Sequence, residues 1–186
     1  MLISDETPGV LPALTFVAPS GTGKTTLLAD VIERLVAQGL AVAVMKASHH
    51  DHDLDVEGKD SWRFQRAGAE LVGLCGPART TLFIGNGRET WPSLRECADW
   101  LARAPFASFD LMLCEGFASD ASVSKLRVVR GPWTETEVQH SDLVAVAWDR
   151  VADEARPAGL PESVALLPLN AIAVAEWVVT NWMTSR

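Results

Sequence analysis

The chain has 186 residues, 48% hydrophobic and 22% charged, which is close to the average for soluble globular proteins and enough for one domain with a sizeable core. A formal net charge of −8 argues against a general nucleic-acid binder, which needs a basic surface, but not against binding of one nucleotide. With three scattered cysteines, an acidic N-terminal stretch and no apolar run near the ~18 residues of a membrane span, we expect a cytoplasmic protein without disulfides.

Short apolar runs alternate with amphipathic stretches along the chain. Residues 13–18 (ALTFVA) predict a buried strand, and residues 24–38 predict a helix because their apolar side chains recur at 3.6-residue spacing. Residues 40–46 are apolar on both faces, as in a strand inside a parallel sheet. Further strands are predicted at 71–75, 81–84, 111–114, 126–129, 143–147 and 164–167, and further helices at 93–103 and 171–183.

This alternation of strand and helix predicts an α/β fold with a mostly parallel central sheet and helices on both faces. Residues 48–60 are polar and charged, and they predict a loop. No stretch has the composition of a linker between domains, so we predict a single nucleotide-binding domain over residues 1–186.

A glycine-rich segment, residues 18–26 (APSGTGKTT), lies between the first predicted strand and helix. It matches the phosphate-binding pattern G-x-x-x-x-G-K-[ST] except for Ala18, which replaces the first glycine. Gly21 and Gly23 permit backbone torsions that point successive N–H groups at an anion. The segment therefore predicts a phosphate-binding loop of the P-loop type.

The residues that follow the second glycine strengthen this prediction. Lys24 is suited to reach the β and γ phosphates, and the hydroxyl of Thr25 is suited to bind Mg²⁺. The helix that begins near Lys24 adds the positive end of its dipole. A simple turn between a strand and a helix does not require Lys-Thr-Thr at this point, so we predict nucleotide binding.

A second hydrophobic run, residues 109–116 (FDLMLCEG), ends in Glu115 and Gly116. In P-loop proteins a carboxylate at such a strand end holds Mg²⁺ or orients a water, and an adjacent glycine lets the backbone approach the γ-phosphate. Any buried strand can also end in a surface acid, but the phosphate loop favours the functional interpretation. We predict that Lys24 and Glu115 are the catalytic residues.

The segment 46–61 (KASHHDHDLDVEGKDS) combines four aspartates with three histidines, which are His49, His50 and His52. Imidazole and carboxylate groups suit transition metals, so zinc or nickel binding is one interpretation. Contacts to Mg²⁺ or to water through Asp53 and Asp55 are the interpretation we favour. A solvated acidic loop is the third, because the spacing fixes no ligand geometry.

Three segments, in matching order, resemble the molybdopterin-guanine dinucleotide biosynthesis adapter (MobB) family. They are SGTGKTTLL, then K-x-x-H-H-D-x-D-x-D-x-x-GKDSWRFQRAGA, then LCEGF followed by KLRVVR. The similarity spans residues 13–150. The phosphate loop is common to many families, whereas the middle block is much more specific and identifies the family.

The resemblance implies a P-loop NTPase three-layer fold, weak hydrolysis of GTP bound with Mg²⁺, and a homodimer. It implies as partners a MobA-type guanylyltransferase, which joins GMP to molybdopterin, and molybdopterin-handling proteins. The phosphate cradle would comprise Pro19, Ser20, Gly21, Thr22, Gly23, Lys24, Thr25 and Thr26. Thr25, Asp53, Asp55 and Glu115 would lie near the metal or the γ-phosphate.

Asp149 follows a predicted strand, where related GTPases place an aspartate that accepts from guanine N1 and N2. No full N-K-x-D motif precedes it, because residues 146–148 are Val-Ala-Trp. An exposed acid that opens a loop is the alternative for Asp149.

Two other functions remain open. A P-loop small-molecule kinase needs an arginine-rich lid, but Arg88, Arg95 and Arg103 are scattered. A metallochaperone NTPase would use the histidine-rich segment to carry nickel or zinc.

Overall fold

The computed structural model describes residues 10–47, 55–77, 79–84, 92–104, 108–134, 142–151 and 155–184. Internal contacts divide the chain into two units, a larger one of residues 1–47 and 93–186 and a smaller one of residues 48–92. A single domain over residues 1–186 stays a prediction.

The elements follow in chain order. They are β1 (Ala13–Val17), α1 (Lys24–Ala37), β2 (Val42–Lys46), α2 (Asp60–Arg66), β3 (Leu71–Cys75), β4 (Thr80–Ile84), α3 (Leu94–Ala102), β5 (Leu111–Glu115), β6 (Ser124–Val129), β7 (Leu143–Trp148), β8 (Ala165–Pro168) and α4 (Ala171–Trp177). Residues Val178–Trp182 continue α4 as a π-helical turn, whereas the sequence predicted one regular helix over 171–183.

The larger unit contains a six-stranded sheet in the order β2-β5-β1-β6-β7-β8, and every strand pair in it is parallel. Helices α1 and α4 pack on one face, where Leu14 and Phe16 of β1 are buried. Helix α3 packs on the other face against Ala13 and Met112. The predicted P-loop NTPase-like α/β fold, with helices on both faces of a parallel sheet, is confirmed.

Burial of β1 explains why this strand lies at the centre of the sheet. All five of its residues are buried, so both faces must be covered, as parallel sheets require. The one polar residue, Thr15, donates its hydroxyl proton to the carbonyl of Gly116 at 2.7 Å. Each large apolar side chain buried here contributes about 1.5 to 3 kcal/mol to the free energy of unfolding.

The smaller unit contains α2 and an antiparallel hairpin of β3 and β4, in which Leu71 pairs with Ile84. The hairpin strands were predicted as strands, but they do not join the parallel sheet. Helix α2 was not predicted. Leu71, Leu74 and Ile84 are about half exposed in the hairpin, at 55%, 46% and 53%.

None of the helices in the described residues is long and apolar enough to cross a membrane. Helix α1, with 14 residues, is the longest of them.

The N-terminus of α3 is held by carboxylates. Ser93 and Glu96 form a capping box, and Asp120 accepts the N–H of Leu94 at 2.7 Å and that of Ser122 at 2.8 Å. Burial alone would raise the pKa of Asp120, but the hydrogen bonds from Ser122 and Leu94 hold this pKa below its ordinary value. The ionised carboxylate therefore stabilises the folded state.

We predict that Asp120→Asn lowers the free energy of unfolding at pH 7 by about 1 kcal/mol, because the charge-assisted hydrogen bonds weaken. A folded-state pKa below the ordinary value gives stability that is present above pH ~4 and lost as the pH falls through the folded-state value. Urea unfolding between pH 7 and pH 3 measures this. The difference from the wild type should shrink at acid pH, and Asp99→Asn, a substitution within α3, should change little. A pH-independent difference would contradict the assignment.

Candidate functional site

The loop between β1 and α1 has the backbone geometry that the sequence predicted. Gly21 and Gly23 have φ angles of 77° and 88°, in the left-handed region that favours glycine. The ammonium group of Lys24 donates to the carbonyls of Ala18 and Pro19 at 2.9 and 3.1 Å, so it lies across the loop's own backbone. The replacement of the first glycine by Ala18 therefore leaves the lysine in contact with the loop.

Helix α1 begins without a side-chain cap in this structure. Gly23 is the N-cap residue, and among the described residues no side chain accepts a hydrogen bond as its cap. The first N–H groups of a helix have no partner within the helix, and with the helix dipole they attract anions. The loop end is therefore suited to a phosphate group.

The carboxylate of Glu115 lies beside the phosphate loop because β5 pairs with β1, with Phe16 opposite Glu115. The Thr25 hydroxyl donates to Oε1 of Glu115 at 2.8 Å. The same oxygen lies 3.3 Å from the ammonium nitrogen of Lys46, at the end of β2. Two predicted metal ligands, Thr25 and Glu115, are thus in direct contact.

This pair of oxygens fits Mg²⁺. The ion prefers hard oxygen ligands, is usually held by one or two protein groups, and completes its octahedron with water and phosphate oxygens. The Thr25 hydroxyl at the start of α1 and the Glu115 carboxylate at the end of β5 supply such a set. Among the described residues, no group of three or more His, Cys, Asp or Glu side chains is placed to hold a metal alone.

Gly116, the predicted neighbour of the carboxylate, is required by packing. Its φ angle is 90°, and a Cβ atom added to it would lie 2.9 Å from the Cβ of Ala47. The N–H of Gly116 donates to the carbonyl of Phe16 at 3.1 Å, which ties the end of β5 to β1. An approach of Gly116 to a γ-phosphate stays a prediction.

Asp55 belongs to the smaller unit, where its carboxylate organises the start of α2. It accepts from the Ser61 hydroxyl at 2.9 Å, the Gln65 amide at 2.7 Å and the N–H of Val56 at 2.9 Å. The other predicted residues of this segment lie outside the described residues. They are His49, His50, His52 and Asp53.

Asp149 directly follows β7, and both of its carboxylate oxygens accept the N–H of Gly131, at 3.0 and 3.2 Å. Gly131 lies just after β6, the strand that pairs with β1 on the side opposite β5. Arg130 precedes it and donates from Nε to the carbonyl of Thr22 at 2.8 Å. Sequence reasoning missed Arg130, although the quoted segment KLRVVR ends in it.

A groove of about 640 Å³ extends along α1 from the phosphate loop. Its lining near the loop includes Gly23, Thr26 and Arg130, and the turn between β8 and α4 contributes Leu169 and Asn170. The loop end of this groove lies near the carboxyl end of β1, the edge where α/β sheets of this type bind ligands. The rest of the groove follows α1 as far as Ala37, past Asp30 and Glu33.

Two other side chains are accounted for by their surroundings. Burial raises the pKa of the Cys114 thiol to about 12, so this cysteine beside Glu115 is not a nucleophile at neutral pH. Arg95 donates to the carbonyl of Leu11 at 2.9 Å, before β1 begins. Since the phosphate loop follows the opposite end of β1, Arg95 does not serve as a phosphate lid.

Comparison with known proteins gives a consistent result. The family model described as molybdopterin guanine dinucleotide synthesis protein B matches residues 13–149. The molybdopterin-guanine dinucleotide biosynthesis adapter protein of Escherichia coli (strain K12) is 34% identical over 179 residues, which are 95% of this chain and 96% of that protein. The Haemophilus influenzae protein of the same name is 31% identical over 93% of this chain and 90% of its own length.

Solved structures show the same fold. A crystal structure of molybdopterin-guanine biosynthesis protein B is 25% identical, with a TM-score of 0.63 over 92% of this chain and 99% of the other. Bacillus subtilis MobB, at 22% identity, has a TM-score of 0.61 over 91% of this chain and 97% of the other, which is similarity of fold alone.

We predict that Gly116→Ala lowers the free energy of unfolding by about 2 kcal/mol or more, because strain at positive φ adds to the contact with Ala47. Gly39→Ala is the matched control: its φ is 89° and nothing lies within 4 Å of the added Cβ, so it should lose only about 1 kcal/mol. Urea denaturation measures both. Combining Gly116→Ala with Ala47→Gly should recover part of the loss, and equal losses in the two single variants would refute the contact.

Proposed function

This chain belongs to the molybdopterin guanine dinucleotide synthesis protein B (MobB) family, and we propose that it acts in molybdenum cofactor biosynthesis as an adapter protein that binds GTP with Mg²⁺. Its E. coli and H. influenzae relatives are named as adapter proteins of molybdopterin-guanine dinucleotide biosynthesis. We place this function in the cytoplasm.

One observation above all supports nucleotide binding. The hydrogen bond of 2.8 Å between Thr25 and Glu115 joins the start of α1 to the end of β5. In the adjacent loop the ammonium group of Lys24 lies against the carbonyl of Ala18. In this proposal the backbone from Pro19 to Thr26 surrounds the phosphates, and Lys24 neutralises the β and γ groups. Such an arrangement is suited to hold a triphosphate tail.

Thr25 and Glu115 are the residues we propose to hold Mg²⁺, which when bound neutralises phosphate charge and polarises the phosphorus–oxygen bonds. The Thr25 hydroxyl would then turn its lone pair to the ion instead of donating its proton to Glu115. Asp53 and Asp55, in the smaller unit, stay proposed as additional contacts to metal or water.

Hydrolysis is proposed to be slow. Lys24 and Glu115 are the residues assigned to it, and Glu115 would hold the metal or orient a water molecule. Neither residue is an arginine finger, the group that raises the rate of phosphoryl transfer in GTPases. We therefore expect turnover well below the range of about 1 to 1000 per second that is usual for enzymes.

The groove beyond the phosphate loop is the proposed site of the nucleoside. It leads from Thr26 to Asn170 at the start of α4. Asp149, at the end of the neighbouring strand β7, is the proposed acceptor for guanine N1 and N2. Its bond to Gly131 leaves carboxylate lone pairs available for a second donor.

As partners we propose a MobA-type guanylyltransferase, which joins GMP to molybdopterin, molybdopterin-handling proteins, and a second copy of this chain. The hairpin of β3 and β4 supports self-association. A two-stranded hairpin is marginally stable alone, and this one exposes about half of Leu71, Leu74 and Ile84.

We predict that Lys24→Ala loses nucleotide affinity by at least about a hundredfold, because the ammonium that neutralises the phosphates is removed. Isothermal titration of wild type and variant with GTP and ATP, with and without Mg²⁺, tests this. GTP should bind more tightly than ATP, and Mg²⁺ should strengthen binding. Arg103→Ala removes an exposed cation beyond α3 and should bind like the wild type. Undiminished affinity in a folded Lys24→Ala protein would reject the site.

We predict that Asp149→Asn weakens GTP and strengthens xanthosine triphosphate, each by about tenfold or more, because an amide donor opposes guanine N2 but meets the O2 of xanthine. The asparagine oxygen can still accept from Gly131, so the turn after β6 is kept. Competition titrations with the two nucleotides measure the exchange of preference. An equal loss for both would assign Asp149 to the turn and not to the base.

A further inference from the structure

Arg130 lies against the phosphate loop from the side of β6. Its Nε donates to the Thr22 carbonyl at 2.8 Å, and its Nη2 is 3.3 Å from the position of a Cβ on Gly23. A Cβ at position 23 would therefore displace the guanidinium by a few tenths of an ångström. The side chain also lines the groove next to Thr26.

The backbone just after Arg130 is held at both polar groups of Gly131. The N–H of Gly131 is held by the two oxygens of Asp149, and the carbonyl of Gly131 accepts from the indole N–H of Trp148 at 2.8 Å. Trp148 is 1% exposed, so the donor of this last hydrogen bond is buried. The turn that carries Arg130 is therefore anchored to β7, and an anchored backbone reduces the entropy cost of binding.

The charge of Arg130 is not balanced within the described parts of the chain. No described carboxylate forms an ion pair with it, and the hydrogen bond from its Nε goes to the neutral carbonyl of Thr22. Among the residues that the structure describes, Lys24 likewise donates to carbonyls of the same loop. Two cations thus contact a loop, residues 18–26, that contains no carboxylate, and an anionic ligand would interact with both.

We propose that Arg130 binds the α and β phosphates of the nucleotide, an inference that rests on the proposed function. Its neighbours Gly23 and Thr26 belong to the part of a phosphate loop whose amides face these two groups, whereas the lysine serves the β and γ groups. Arg130 also borders the groove proposed for the nucleoside. In this proposal Arg130 contributes to the affinity for the bound nucleotide, and it contributes equally for nucleoside diphosphates and triphosphates.

Two variants separate the charge of Arg130 from its contact with the loop. Arg130→Gln places an amide nitrogen where Nε stood, so it can keep the hydrogen bond to Thr22 while the guanidinium charge is lost. Arg130→Met removes both the charge and the hydrogen bond at similar length. Affinities of the full-length wild type, both variants and Arg103→Gln for GDP and GTP, with Mg²⁺ present, are measured by isothermal titration, with thermal unfolding to verify the fold.

We expect Arg130→Gln to weaken GDP and GTP by the same factor, about tenfold to a hundredfold, as for loss of one charge-assisted hydrogen-bonding group. Arg130→Met should lose at least as much, and Arg103→Gln should bind like the wild type. Wild-type affinity in Arg130→Gln overturns the inference, whether or not Arg130→Met is impaired, because Arg130 is then at most a brace for the loop. A loss confined to GTP overturns the assignment to the α and β phosphates.

The two proposals fail differently. If wild-type protein binds neither GTP nor GDP, the proposed function fails and the inference fails with it. If wild type binds and Lys24→Ala does not, but Arg130→Gln is unchanged, only the role of Arg130 is refuted.

Discussion

Parallel pairing of β1 with a different strand on each side is the constraint on which the site depends. On one side, β5 brings Glu115 to the hydroxyl of Thr25. On the other, β6 brings Arg130 to the backbone of the loop. The carboxylate of Glu115, which is suited to a metal, therefore flanks the loop from β5. The guanidinium of Arg130, which is suited to a phosphate, flanks it from β6. A slip of either pairing would remove its group from the site.

Much of the larger unit could be predicted because its signals are local. The apolar residues of α1 recur at helical spacing, and the strands around it are apolar on both faces, so their types and approximate bounds follow from the sequence. The phosphate loop and the acid at the end of β5 could be found because residue type and position along the chain specify them. Their contact required knowledge that β5 inserts between β1 and β2.

Other features depend on contacts that no local pattern contains. Arg130 has the appearance of an ordinary surface arginine after a buried strand until β6 is placed beside β1. Helix α2 is only seven residues long, too short for a clear periodicity. The apolar residues of β3 and β4 are those of a buried strand, yet several are exposed in a separate hairpin. The composition of these runs alone does not distinguish a buried strand of the sheet from a strand of an exposed hairpin.

The strand order also fixes a sequence of events during synthesis. Strands β1 and β2 leave the ribosome early, but they are not neighbours in the sheet, and the strand between them is β5. At roughly 5 to 20 residues per second, several seconds pass before β5 emerges. For that interval the nascent chain carries two apolar strands with vacant edges, a condition that favours chaperone capture and makes aggregation a hazard of translation.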